Sequence, residues 1–168
     1  MNQRIILTCC CFLLFFSGCK SEQEKFNHKA TSVIRSYIGE NMPDFHLDSI
    51  SILGIDSLTH LDYAYFRKMV LENHESEISS NIFLYIEPQT EEEYETQQRL
   101  QFSLQNIRNQ IEECNNILIN PTTDTTTIHY FLVATTIYGK KNDKKIQESF
   151  GFPMNKEFVI QEIDIGER

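Results

Sequence analysis

The sequence predicts an α+β fold: an N-terminal helix, a long helix and a curved antiparallel sheet ending in a three-stranded meander. Three observations predict it. Ser21-x-x-Glu24 and Thr90-x-x-Glu93 are capping boxes, each opening a stretch with helical spacing of apolar residues. Phe45–Leu58 alternates apolar and polar residues instead. The last forty residues are dense in β-branched and aromatic residues and are cut by turn sequences.

In the first helix, over 22–38, Phe26, Ala30, Val33 and Tyr37 recur at i, i+4, i+7 and i+11. Gly39 and Pro43 are its expected stop. Phe45, Leu47, Ile50 and Ile52 then mark a strand, and Gly54 marks a bulge or bend where Leu53 and Ile55 fall out of step. Leu61, Tyr65 and Met69 suggest a short helix with Thr59 at its N-cap, and 72–80 reads as a polar loop. The apolar run 82–86 is compatible with strand or helix. In the long helix, Leu100, Leu104, Ile107, Ile111, Cys114 and Leu118 follow spacings of four and three. That stripe suits a helix packed along a sheet or another helix, and is short for a coiled coil between chains. Asn115, Asn116 and Pro121 are expected to end it. The meander is expected as strands at 128–138, 144–152 and 158–165, joined by turns at 139–143 and 153–156.

The chain has 168 residues and a net charge of −9. The apolar start of the chain holds one charge, Arg4, followed by an apolar run from Ile5 to Phe16 broken only by Thr8. That run suits a secretion signal and is too short for a membrane-spanning helix, which needs about 20 residues. Phe16-Ser17-Gly18-Cys19 closes it. The segment resembles the signal and lipobox of bacterial lipoproteins, with Phe16 in place of the usual leucine. The resemblance implies that residues 1–18 are removed, that 19–25 form a lipidated tether, and that 26–168 form a single α+β domain. It implies a diacylglycerol on the Cys19 sulfur and an acylated amino terminus. Several chains on one residue anchor far more firmly than the marginal hold of one. Lys20 stands where an inner-membrane retention signal carries aspartate. The expected location is therefore the outer membrane, with the domain facing the periplasm or the cell surface. Glu22 and Glu24 loosely resemble the acidic export tag of surface-exposed lipoproteins.

Removing residues 1–18 leaves 150 residues near −10, one ordinary domain. Such a charge disfavours nucleic acid and leaves membrane attachment to the lipid. Of five cysteines only Cys114 remains after the signal and Cys19 are set aside, so no internal disulfide is expected. Its place in the stripe makes Cys114 a buried apolar residue.

The order of helix followed by a C-terminal meander is similar to the cystatin-like and nuclear-transport-factor-like cones of small bacterial lipoproteins. That resemblance rests on element order alone, and implies a ligand or partner surface on the concave sheet face. Tyr130, Leu132, Phe150 and Phe158 are the residues expected there.

No catalytic motif is present. His28, His46, His60, His74 and His129 include no i, i+4 pair and no H-E-x-x-H, and no G-x-S-x-G occurs. Six glycines form no phosphate-binding loop. No metal site and no cofactor is expected. His129 is the one candidate base, sharing a strand face with Phe131 and Val133. Asp48-Ser49-Ile50, Asp56-Ser57-Leu58 and Asp124-Thr125-Thr126 resemble acceptor triplets for envelope O-glycosylation, making Ser49, Ser57 and Thr125 candidate sites. The expected role is a binding module, monomeric or weakly self-associating, with a protein partner among its candidates. The alternatives are an assembly component using the Leu100–Leu118 stripe and a small cone-shaped enzyme using His129.

Overall fold

A computed structural model describes residues 21–120 and 122–163. The signal segment, Cys19 and the last residues of the expected third meander strand lie outside them. Among the described residues the order is α1 (Glu22–Asn41), β1 (Phe45–Leu58), α2 (His60–Ile82), a 3₁₀ turn (Phe83–Tyr85), α3 (Glu91–Ile119), β2 (Tyr130–Lys141) and β3 (Lys144–Asn155). The strands form an antiparallel sheet in the order β1-β2-β3. The fold class is therefore α+β, with an N-terminal helix, a long helix and a three-stranded antiparallel sheet.

Each helix opens on a reciprocal capping box. The hydroxyls of Ser21, Thr59 and Thr90 accept from the amides of Glu24, Asp62 and Glu93, whose carboxylates accept in return from the cap amides. Each box satisfies amides that a helix start leaves orphaned. The α1 helix runs past Gly39 to Asn41, where the Met42 amide donates to the Ile38 carbonyl at 2.8 Å and Pro43 stops it. Gly39 is thus inside the helix and is not its left-handed stop. Likewise α3 continues through Asn115 and Asn116 to Ile119.

Two separate cores form. In the first, Ala30, Ile34 and Ile38 of α1 lie on Val133, Ile137, Phe152 and Met154 of the sheet, with Phe45 at one end. Burying each large side chain there contributes on the order of 1.5–3 kcal/mol. The β1 strand keeps its apolar residues on this core through two bulges, between Leu47 and Ser49 and between Ile52 and Gly54. Each bulge resets the alternation, so Leu47, Ile50, Ile52 and Ile55 all pack inward while Leu53 is left exposed. The expected irregularity at Gly54 is present, and the spacing of three between Leu47 and Ile50 marks the second.

The other core joins α2 to α3. Leu71 and Ile78 of α2 meet Ile107 and Cys114 of α3, flanked by Leu100, Leu104 and Ile111. The stripe of the long helix is therefore spent on another helix of the same chain, and α3 does not cover the sheet. Its partner is where the expectation fails: 72–80 is helix, not loop. The buried positions of α2 are Ala64, Leu71 and Ile78, seven apart, matching Leu100, Ile107 and Cys114, also seven apart. Within 72–80 Ile78 is the only apolar residue, too sparse a signal to register as a helix face. Arg67 Nη2 donates to Gln110 Oε1 at 2.6 Å and Arg108 Nε to Glu75 Oε1 at 2.7 Å, which set the register of the pair. The run at 82–86 ends α2 and passes through the 3₁₀ turn.

The meander differs in its third member. The outer strand beside β2 is β1, and among the described residues after Asn155 there is only an isolated bridge, Met154 to Ile160. The cause is local: Asn155 Oδ1 accepts from the Glu157 and Val159 amides, and Phe158 takes a left-handed φ of 66°. The backbone there is turned, not extended. β2 and β3 are joined by a two-residue turn, Asn142 and Asp143, at φ 51° and 62°. Two left-handed residues match the twist of the paired strands. Both strands are consequently longer than the sequence suggests.

Gly139 carries a clear demand. A Cβ there would run into the His46 carbonyl oxygen and the Phe45 ring. Gly139→Ala is expected to destabilise the domain by about 1–3 kcal/mol through overpacking, read as a lower denaturant midpoint. Gly54→Ala, with open space around it, serves as the mild control. Equal midpoints for the two would refute the close approach of β1 to β2.

Candidate functional site

The four residues expected on one concave face do not share a face. Paired residues of antiparallel strands project the same way. Phe150 lies opposite Thr135, and both point to the side of α1, whereas Tyr130 and Leu132 alternate to the other side. Phe158 also lies on the α1 side, 4.7 Å from the Phe26 ring and with Lys29 Nζ 4.2 Å above it. Leu132 pairs with Pro153 and is half-buried. Tyr130 is drawn sideways into a ring cluster with α2.

That cluster contains His129. Its amide donates to the Leu58 carbonyl at 2.9 Å, continuing the β1–β2 ladder. Its ring lies 3.9 Å from His60, and Tyr63 stacks on Tyr130 at 4.2 Å. Burial among these rings pushes the Tyr63 phenol up, against the opposing charge of Arg67. The acid near His129 is Asp124, whose Oδ2 is 3.6 Å from Nε2, beyond hydrogen-bonding distance. Nε2 is itself buried without a hydrogen-bond partner. Neither cavity described below is lined by His129. What the arrangement does is join two parts of the fold.

Asp124 is committed to its own loop. Its Oδ1 accepts from the Thr126 amide at 2.8 Å and the Thr127 amide at 3.0 Å, and from the Thr126 hydroxyl at 3.0 Å. Hydrogen bonds from the Thr127 and Thr126 side chains and amides hold its carboxyl far below the usual aspartate range. Thr125 is exposed in this irregular segment. Ser49 and Ser57 are also exposed but lie within β1, paired with Tyr138 and Phe131. Thr125 is thus the one triplet residue presented on a turn.

Two cavities stand out among the described residues. The larger, about 700 Å³, sits at the start of α1 between Lys25, Phe26, Lys29, Ile55, Phe131 and Phe158. It is an open cradle of mixed polarity. The smaller, about 380 Å³, is a groove along the β3 edge. Tyr37, Met42 and Ile38 of α1 form one wall, Phe150 and Phe152 the floor, and Phe66 and Val70 of α2 the far wall, with Ile160 and Ile163 beside them. Its only ionisable carboxylate is Glu162, and no basic residue lines it. Such a groove takes apolar groups and offers an anion nothing. The sequence signal for it was weak, because five separate stretches meet there. Only Phe150 was singled out, and for the wrong surface.

Cys114 is fully buried in the helical core, and burial pushes its thiol up, opposed mainly by Arg67. This is an inert side chain. Among the described residues no three His, Cys, Asp or Glu side chains converge as a metal site would require. Among them, too, no helix is long and apolar enough to cross a membrane. Comparison with protein families, with curated proteins and with solved structures gives no match.

The Asp124 loop yields a pH prediction with a definite sign. A carboxylate depressed in the folded state stabilises its loop above the ordinary aspartate value, 3.8, and loses that contribution as pH falls through the lower folded value. The amide resonances of Thr126 and Thr127 should therefore hold steady through pH 4 and move only in stronger acid. A midpoint at the ordinary aspartate value would show that these bonds do not form in solution.

Proposed function

We propose that this chain is a lipid-anchored lipoprotein of the bacterial outer membrane whose α+β domain is a binding module for a neutral, apolar ligand segment. The anchor reading is supported by the run Ile5–Phe16 ending in Ser17-Gly18-Cys19. The first described residue, Ser21, already caps α1. A lipid on Cys19 would hold the domain within a few residues of the membrane surface, about 3.3–3.6 Å each. The binding reading is carried by one observation: the groove between α1, β3 and α2 is lined mainly by aromatic and aliphatic side chains, with Asn41, Gln161 and Glu162 its polar members. Apolar walls with few polar groups bind by removing apolar surface from water. The site lies where the two cores approach each other, as ligand clefts between structural units do.

Two experiments test the two halves separately. For the groove, the mature chain is titrated with Nile red, a neutral apolar dye. The wild type is expected to bind it with a blue-shifted emission. Phe66→Asp is expected to weaken binding at least about tenfold, the equivalent of 1.4 kcal/mol. Phe26→Asp, in the other cavity, tests placement. If Phe66→Asp binds the dye as the wild type does, the groove is not the site.

For the anchor, Cys19→Ala is expected to leave the membrane fraction and to lose incorporation of radiolabelled palmitate. A Cys19→Ala chain that still sediments with membranes and carries label would remove the lipid anchor from the proposal. The groove reading would be untouched by that result.

A further inference from the structure

The α2–α3 and β2–β3 hairpins spring from one root, where His60 and Tyr63 pack on His129 and Tyr130. Both start from it, and each ends in a tip with an excess of one charge sign. At the sheet tip, Lys140 lies opposite Lys145 and Lys141 opposite Lys144, flanking the Asn142–Asp143 turn. Like charges directly opposed across strands are destabilising. All four lysines are exposed, and none forms an ion pair among the described residues.

The helical tip is the inverse. Residues 69–98 contain eight glutamates and no lysine or arginine. Three of the eight are engaged by neighbours: Glu72 by Lys68, Glu75 by Arg108 and Glu77 by His74. Glu87, Glu91, Glu92 and Glu95 form no ion pair among the described residues. Within this acidic collar stand Phe83, Leu84 and Ile86, exposed to 72%, 77% and 59%. A knob this apolar on so acidic a support is repelled by an anionic membrane and fits a surface that is cationic at its rim.

We propose that this surface is on a second copy of the chain: the glutamate-collared knob of one copy docks on the lysine tip of another. The aliphatic stems of the lysines, together with the exposed Tyr138 ring, give Phe83 and Leu84 apolar surface to cover. Two copies can make the contact reciprocally, knob to lysine tip twice over, which closes a two-fold pair. The contact differs from the one the Leu100–Leu118 stripe suggested, since that stripe is buried against α2. It is independent of the groove and of the anchor.

Sedimentation of the unlipidated mature chain, 20–168, tests it by charge exchange. The wild type is expected to form a pair at low salt and to dissociate on going from about 0.01 to 1 M salt, as the screening length falls from about 30 to 3 Å. Glu87→Lys/Glu91→Lys/Glu92→Lys/Glu95→Lys makes both tips cationic, and Lys141→Glu/Lys144→Glu makes both anionic. Each variant alone is expected to be monomeric. An equimolar mixture of the two should form the pair again, although both variants are net negative overall. Phe83→Ser/Leu84→Ser should weaken the wild-type pair without altering its salt dependence. A wild type that stays monomeric at its highest soluble concentration overturns the proposal. So does a mixture that fails to pair, or a pair that either single-sign variant still forms.

Discussion

The fold depends on one junction. Where β1 ends at Leu58, the His129 amide closes the last ladder bond, and the rings of His60, Tyr63, His129 and Tyr130 stack beside it. This is the point at which the α2–α3 hairpin is tied to the sheet. The two cores also meet along the groove, where Phe66 and Val70 face α1 and β3, and through the segment after β3, whose Ile160 packs on one core and Ile163 on the other. Aromatic stacking suits the task, since offset and tilted rings gain beyond their buried area. The junction takes up His60 and His129, and neither histidine lines the cradle or the groove.

Local chemistry made much of the fold legible. Capping boxes and the stop at Pro43 place the helix starts and one helix end, because the orphan amides of a helix must be satisfied by side chains near in sequence. What failed were features set by distant partners. The stretch 72–80 reads as a loop, since Leu71 and Ile78 are its only strong apolar anchors and their meaning appears only against Ile107 and Cys114. Phe158–Ile163 has strand-like composition, yet Asn155 folds the chain back and leaves one bridge. The candidate face failed for a related reason. Placing Phe150 with Leu132 requires the β2–β3 register, which is set by the two-residue turn; the sequence suggested a longer one. The groove draws on both helices, the sheet and the segment after it, so no single stretch carries its pattern.

The charge of the molecule is distributed unevenly, and this matters more than its net value. A chain near −10 would be described as acidic throughout. The fold instead gathers four of its nine lysines at one hairpin tip and eight of its seventeen glutamates within residues 69–98 of the other hairpin. Sequence distance hides the contrast, because residues 69–98 and 140–145 look like two unrelated polar stretches until the common root is seen. Among the described residues no ion pair joins the two tips.

The placement of α2 and α3 between β1 and β2 has a kinetic consequence. Residues 59–129 separate the two strands that must pair, and closing so long a loop is entropically costly if it is disordered. The contacts of Leu71 and Ile78 with Ile107 and Cys114 are far more local in sequence. Helices with local contacts form fast, whereas non-local strand pairing is slow. Once the helical pair has formed, its ends lie together, and Thr59 and His129 deliver β1 and β2 already side by side. The hairpin is then a folding clamp. It turns a long-range closure into a short one, which favours forming the helical pair before the sheet.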